Sequence, residues 1–470
     1  MLGYALRRDL VLAALPLLVA ATAGLGVMVA DERARGVALA VVPVTLVAIG
    51  SLIASSRAVL VFAALAIELF KPLPLSGPLP LHAGVTLYPS DILVLLAVAS
   101  WAAAWLVNRE QARPSSLHTR LLGWPLLLFG IALIAAIVRG HELYGQHLVG
   151  VPLRFLVYAG IVAAMTDLNS RDAYKWLVAL FYVGTVWQVI VAVYRHAAGT
   201  TSASLSGTLS TGGERFLGGS VAMFMAGALL LALLNLERER RAGRTALHLL
   251  MAALATFALV NTFQRTTFAL VSVLVPLSLL VFRRIGARVV VFLPLFAPFL
   301  VLAILLIPKA TPNLFPGLAH RITASPSTDA TVNWRLRAYA AVWAQVRESP
   351  LTGVGFGRPA KFISKGVHYD VAQDPHNQFL YLWAGGGLLL FGSFILLLVV
   401  YLLEAWRRFR SAAKDDRYLI FFAVSFWFVF VVNSLTGIIL TTPHLLLAFW
   451  ILMLLPMVVR PERSGTAAVV

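Results

Sequence analysis

Apolar residues in this chain come in long unbroken runs separated by short polar turns. Runs at roughly 10–30, 36–54, 91–107, 121–138, 148–166, 176–193, 219–236, 247–263, 266–282, 289–307, 378–403, 418–437 and 443–459 stand out. Each approaches the ~20 helical residues needed to cross about 30 Å of hydrocarbon. A shorter run at 58–70 predicts a thin or tilted span. The pattern predicts an all-α polytopic membrane protein of about 12–14 transmembrane helices.

The runs divide the chain into a membrane domain at 1–307 with eleven spans, a long polar loop at 308–375, and the C-terminal spans at 376–470. The run Leu10 to Ala30 is too long for a signal-peptide core and is followed by Asp31-Glu32-Arg33, so a retained first span is expected. Basic turns such as 237–247 and 404–417 alternate with less basic ones. Threaded from the amino terminus, they predict both termini in the cytoplasm and the long loop on the outer, periplasmic face. Within the loop, apolar Leu336, Tyr339, Ala340, Trp343 and Val346 repeat at helical spacing. They predict an amphipathic helix at 333–349 lying along the membrane interface, N-capped by Asn333 and ended by Pro350.

Composition closes off the soluble alternative: 60% of residues are hydrophobic, 12% are charged, and mean hydropathy is +0.86. No water-facing surface of ordinary charge density can be built from that. The absence of cysteine excludes disulfides and thiolate metal sites. The net charge of +18 has two sources. Basic cytoplasmic turns are ordinary topology determinants. The arginines placed outside, among them Arg195, Arg215, Arg265, Arg321, Arg335, Arg337, Arg347 and Arg358, have no such reason. A guanidinium fork suits phosphate oxygens, so these arginines point to an anionic ligand.

Arg265 lies between two apolar runs with almost no loop and must emerge at or just below the outer surface, while Arg215 follows a Ser/Thr/Gly-rich stretch at 200–213. Arg154 is a charge inside the 148–166 run, poised to meet a ligand or to pair with Glu68 or Asp91. Gly353-Val354-Gly355-Phe356-Gly357 lacks a Walker lysine and predicts a tight turn. Asp374-Pro375-His376-Asn377 reads as an N-cap, a first-turn proline and a histidine in the first turn of the next helix. The unpaired amides there attract anions and should keep the imidazole neutral. His376 is therefore the candidate proton acceptor. The acidic residues Asp329, Asp370 and Asp374 are scattered, so no metal site is expected.

The order Arg215, Arg265, Trp334-Arg335-Leu336-Arg337, the run from Ser349 to Gly357, His376-Asn377-Gln378-Phe379-Leu380 and Gly385-Gly386-Gly387 resembles the O-antigen ligase and polymerase superfamily over roughly 200–400. The resemblance implies a membrane fold related to type C glycosyltransferases and a metal-independent, cofactor-free, inverting transfer. The glycan would pass from an undecaprenyl-pyrophosphate-linked donor to a hydroxyl on the periplasmic face of the bacterial inner membrane. It implies His376 as catalytic residue and Arg215 and Arg265, with Arg335 and Arg337, as pyrophosphate ligands; Arg154 joins them as a candidate on its own placement. The acceptor would be lipid A-core in a ligase or a second lipid-linked glycan in a polymerase, the latter with a possible chain-length regulator protein. Membrane lipids are the other partners, and no nucleic acid is expected. A lipid or solute transporter is the rival of another class, though its polar groups should lie at mid-membrane. A peptidoglycan-type polymerase would use Asp329 or Asp370.

Overall fold

The computed structural model describes residues 57–69, 79–80, 86–107, 120–145, 150–165, 168–198, 217, 219–262, 264–282, 330–364, 366–371, 376–437 and 439–459. The spans expected at 10–30, 36–54 and 289–307, Arg215 and the Asp374-Pro375 pair lie outside these residues.

The elements, in chain order, are α1 (Arg57–Leu69), β1 (Leu79–Pro80), β2 (Thr86–Leu87), α2 (Pro89–Val107), α3 (Arg120–Tyr144), α4 (Gly150–Ala159) and α5 (Ile161–Ala164). There follow α6 (Ser170–Ala197), α7 (Gly219–Arg238), α8 (Ala242–Val260), α9 (Arg265–Val281) and α10 (Ala330–Glu348). Then come β3 (Ala360–Ser364), β4 (Val367–Val371), α11 (Gln378–Ser411), α12 (Lys414–Asn433), a 3-10 turn (Ile439–Thr441) and α13 (Pro443–Val458). Among the described residues five helices are long and apolar enough to cross a membrane: Leu122–Tyr144, Ser170–Arg195, Ser220–Arg238, Ala242–Val260 and Gln378–Ser411. With shorter apolar helices beside them, they make an all-α, multi-pass membrane protein.

Burial follows the character of each run. α13 is apolar all round and is buried at every residue from Pro443 to Val458; α7 is buried over nearly its whole length. Helices without a polar stripe belong at the centre of a bundle. α3 and α11 bury one flank and turn another outward, with Leu127, Leu128, Ile131 and Ile134 on α3 and Leu396, Val399 and Leu403 on α11 exposed. Those flanks form the bilayer-facing surface. The short run at 58–70 becomes α1, almost wholly buried against its neighbours. At Gly227 an added Cβ would lie 2.8 Å from Phe426 and 2.9 Å from Phe181, so a hydrogen in that place lets α7 close on both rings.

At one end of the bundle α11 and α13 are tied by Arg408. Its Nε donates to Glu404 Oε1 at 2.7 Å and its Nη1 to the carbonyls of Met457 (2.7 Å) and Val459 (2.9 Å), two of the last unpaired acceptors of α13. Both charged side chains are nearly inaccessible, at 6% and 7% exposure. Without Arg408 the buried Glu404 keeps only Arg407, at 3.4 Å, and the two α13 carbonyls lose their donor, so Arg408→Met should cost about 3 kcal/mol. Thermal unfolding in detergent checks this against Arg407→Met, whose side chain is 68% exposed and should change little.

Two sequence expectations about the loop are corrected. The loop helix starts at Ala330, so Asn333 is inside it and is not its N-cap. The face it packs is Trp334, Ala338, Val342, Gln345 and Val346, whereas Leu336, Ala340 and Trp343 are exposed. The helix carries two apolar stripes, and the second finds its partner in a hairpin the helical reading did not contain. β3 and β4 pair antiparallel from Ala360↔Val371 to Ser364↔Val367. The alternation Lys361-Phe362-Ile363 and the glycine at 366, which takes φ +76°, are the signal for it.

Candidate functional site

The opposite end of the bundle gathers the C-terminus of α3, the N-termini of α9 and α11, the C-terminus of α12, helix α10 and the hairpin. α11 begins with Asn377 as its N-cap, whose Oδ1 accepts from the amides of Phe379 (3.0 Å) and Leu380 (3.1 Å). His376 therefore precedes the cap, and the expectation that it lies in the first helical turn is corrected. That slot is filled instead in α13, where Thr442, Pro443 and His444 have the cap, first-turn proline and histidine order.

His376 has φ +52° and is the one non-glycine residue with positive φ among the described residues. The left-handed region disfavours a residue with a Cβ by about 1–2 kcal/mol, so the surroundings must hold it. They do so from two sides. The Tyr339 hydroxyl donates to the carbonyl of His376 at 2.9 Å and lies 3.1 Å from that of Leu435, which ties α10 to both α11 and α12. The Trp334 ring meets the imidazole edge-on at 4.9 Å, and Trp334 is itself set by Phe362 (5.4 Å) and Tyr369 (5.8 Å) of the hairpin. Tyr339 and the hairpin are contributors the sequence reading missed; Tyr339 had been counted only as part of an apolar stripe.

α12 links this corner to α9. Gln264, one residue before Arg265, donates to Asn433 Oδ1 at 3.0 Å, and Thr267 Oγ1 lies 3.4 Å from the same oxygen. The next residue, Ser434, accepts from the amide of Gln378 at 2.8 Å through its carbonyl. The starts of α9 and α11, and with them the backbones of Arg265 and His376, thus flank one turn of α12.

The other candidate arginines differ in their bonding. Arg335 lies on the packed side of α10, three and seven residues before Ala338 and Val342, and is half-buried with no partner for its Nε among the described residues. Arg337 is exposed and its Nη1 donates to the Ile363 carbonyl at 2.6 Å. Arg154 is buried and its Nε donates to Asp91 Oδ1 at 2.9 Å, Asp91 also accepting from Tyr158 (2.5 Å) and from the Tyr88 amide (2.8 Å). Asp91, one of the two acidic partners considered for Arg154, is observed beside it. Arg358 donates to Glu348 at 2.7 Å and holds that carboxyl below the ordinary carboxylate range; the pair is solvent-exposed and contributes little to stability.

At this end Trp334 Nε1, Arg335 Nε, Gln378 Nε2 and Gln264 Oε1 are buried and have no hydrogen-bond partner among the described residues. Three are donors, and such groups cost about 1–3 kcal/mol each when left unmade. An oxygen-rich ligand would satisfy them.

The glycine-rich turn supports the site from beneath. α11 breaks at Gly387 (φ +66°, ψ −164°), a conformation open essentially to glycine alone. The groups freed there bond to residues 350–355. The amides of Val354 and Gly355 donate to the carbonyls of Ala384 (2.7 Å) and Gly385 (3.1 Å), while those of Leu388 and Leu389 donate to the carbonyls of Pro350 (2.8 Å) and Leu351 (3.4 Å). Tyr144 and Arg139 of α3 fasten the turn through the Val354 carbonyl and Thr352. The expected tight turn is thus also a replacement for one turn of helix.

These features define a multi-pass membrane protein with a polar, donor-rich corner at one end of its bundle. The sequence model of a family described as O-antigen ligase matches residues 249–395, so that stretch, which carries α9, α10, the hairpin and the start of α11, is similar to that family. The match supports a membrane enzyme of the O-antigen ligase type in the broad sense. No curated protein matches the chain.

Proposed function

We propose that the protein is a ligase-type glycosyltransferase that moves a glycan from an undecaprenyl-pyrophosphate-linked donor to a hydroxyl of lipid A-core, without metal and with inversion, at the periplasmic face of the inner membrane. The observation that carries this reading is His376 itself: a left-handed, non-glycine residue pinned by Tyr339 and Trp334 at a corner of unpaired donors. Strain of this kind persists where a site needs a side chain in a place the backbone would not choose.

His376 accepts the proton of the acceptor hydroxyl as its oxygen bonds to the anomeric carbon. The bond from that carbon to the pyrophosphate oxygen breaks, and undecaprenyl pyrophosphate leaves with the electron pair. The charge that grows on the leaving group is met by preorganised guanidinium groups. Arg335 is the best prepared for this, its buried Nε having no partner among the described residues. Arg265, at the first position of α9, and Arg215 are assigned to the same clamp. Arg337 and Arg154 are assigned to its edges, their Nη1 and Nε groups being already engaged.

The test offers purified protein a lipid-linked donor with and without lipid A-core. A capped glycolipid formed only with the acceptor is expected. A ladder of longer lipid-linked chains would instead make it a polymerase, and no glycan product would remove the enzyme reading. In the same assay Arg335→Ala should lower kcat/KM for the donor by about 10- to 100-fold, the loss of a charge-assisted contact of roughly 1.5–3 kcal/mol.

A further inference from the structure

The outward stripe of α10 is apolar and continuous with the bilayer-facing flank of α11. Leu336, Ala340 and Trp343 lie along it and are exposed. Trp343 meets Trp383 of α11 edge-on at 5.4 Å, and Trp383 stacks on Phe391 at 4.7 Å with the planes 6° apart. Beside this ladder the Trp383 indole donates to the Pro350 carbonyl, and exposed Leu351 is bonded through its carbonyl to exposed Leu389. The apolar surface therefore runs from the helix of the loop onto the transmembrane flank without a polar break.

Its upper border is basic. Arg347 stands at the end of the same stripe, four residues after Trp343, and is exposed. Arg139 reaches the neighbouring turn through Thr352 at 2.6 Å. Indole rings favour the boundary between hydrocarbon and headgroups, and guanidinium groups just above it favour anionic headgroups.

We propose that this surface is a docking seat for anionic phospholipid: the stripe Leu336, Ala340 and Trp343 is immersed in the leaflet on the site's side, and Arg347 and Arg139 bind the lipid phosphate. α10 then rests on the bilayer by one face while its other face holds Trp334, Arg335 and Tyr339 at the candidate site. The lipid would set the height of those residues above the membrane. This proposal does not depend on which glycan reaction the protein performs.

The cysteine-free chain permits a direct test on the whole protein. Spin labels at Ala340→Cys, at Lys361→Cys on the exposed face of the hairpin, and at Leu396→Cys on the lipid-facing flank of α11 are compared in nanodiscs. The readout is accessibility to oxygen against a water-soluble nickel chelate. Position 340 should follow 396, with oxygen access several-fold favoured, and should move toward the 361 pattern in purely zwitterionic nanodiscs or with Arg347→Gln and Arg139→Gln together. A 361-like pattern in phosphatidylglycerol nanodiscs would overturn the seat. Immersion indifferent to phosphatidylglycerol and to both arginines would overturn the anionic lipid as its occupant. Leu336→Cys gives the same comparison if the 340 variant does not fold.

Discussion

Replacing His376 by alanine should lower the rate of glycan transfer by about 10²–10⁴-fold, the usual contribution of a positioned proton acceptor. Replacing it by glycine should lower the rate as much. The two variants differ in stability. At φ +52° alanine keeps the left-handed strain of about 1–2 kcal/mol while glycine sheds it, and glycine's extra freedom in the unfolded chain returns about 0.5–1 kcal/mol of the gain. His376→Gly should therefore be the more stable of the pair by up to about 1.5 kcal/mol, read as a higher unfolding temperature in detergent. An alanine variant with normal turnover would end the role given to the imidazole. A glycine variant less stable than alanine would mean that the backbone at 376 is not left-handed.

Gly387→Ala should be the most damaging single methyl group in the described chain. The added Cβ would lie 2.2 Å from the Leu351 carbonyl oxygen and 2.4 Å from the Thr352 nitrogen, both backbone atoms. The backbone at 387 is in a region alanine avoids. Neither α11 nor the 350–355 turn can yield, because each supplies the hydrogen bonds the other lacks. A loss of about 3 kcal/mol or more is expected, with transfer activity falling alongside, since His376 and Gln378 stand at the head of the same broken helix. Gly392→Ala, where nothing lies within 4 Å of the added carbon, is the matched control on α11 and should be near neutral. Equal unfolding temperatures for the two variants would refute the interlocked turn.

How much of this could be read beforehand depended on the distance over which each feature is decided. Asn377 was written next to His376, yet the cap was assigned to Asp374, because either residue can cap and only the backbone path selects one. Trp334 and Trp343 both fall within the predicted interfacial helix at 333–349. Trp343 does lie outward, but Trp334 is buried under a hairpin whose own alternating pattern is only five residues a strand. The bond from Tyr339 to the His376 carbonyl joins residues 37 apart and has no local signature at all.

Hydrophobic runs by themselves settled that the protein crosses a membrane repeatedly and where its polar corner falls, since a charge-poor chain of that length has no other way to satisfy its backbone. The motif order from 200 to 400 likewise carried a resemblance to the family whose sequence model matches 249–395. Only the folded arrangement decided which stripe of α10 is packed, that Arg335 Nε has no partner among the described residues, and that His376 sits strained ahead of its helix. Those outcomes turn on contacts between residues far apart in sequence, and a side chain's neighbours across the bundle are not encoded in its own periodicity.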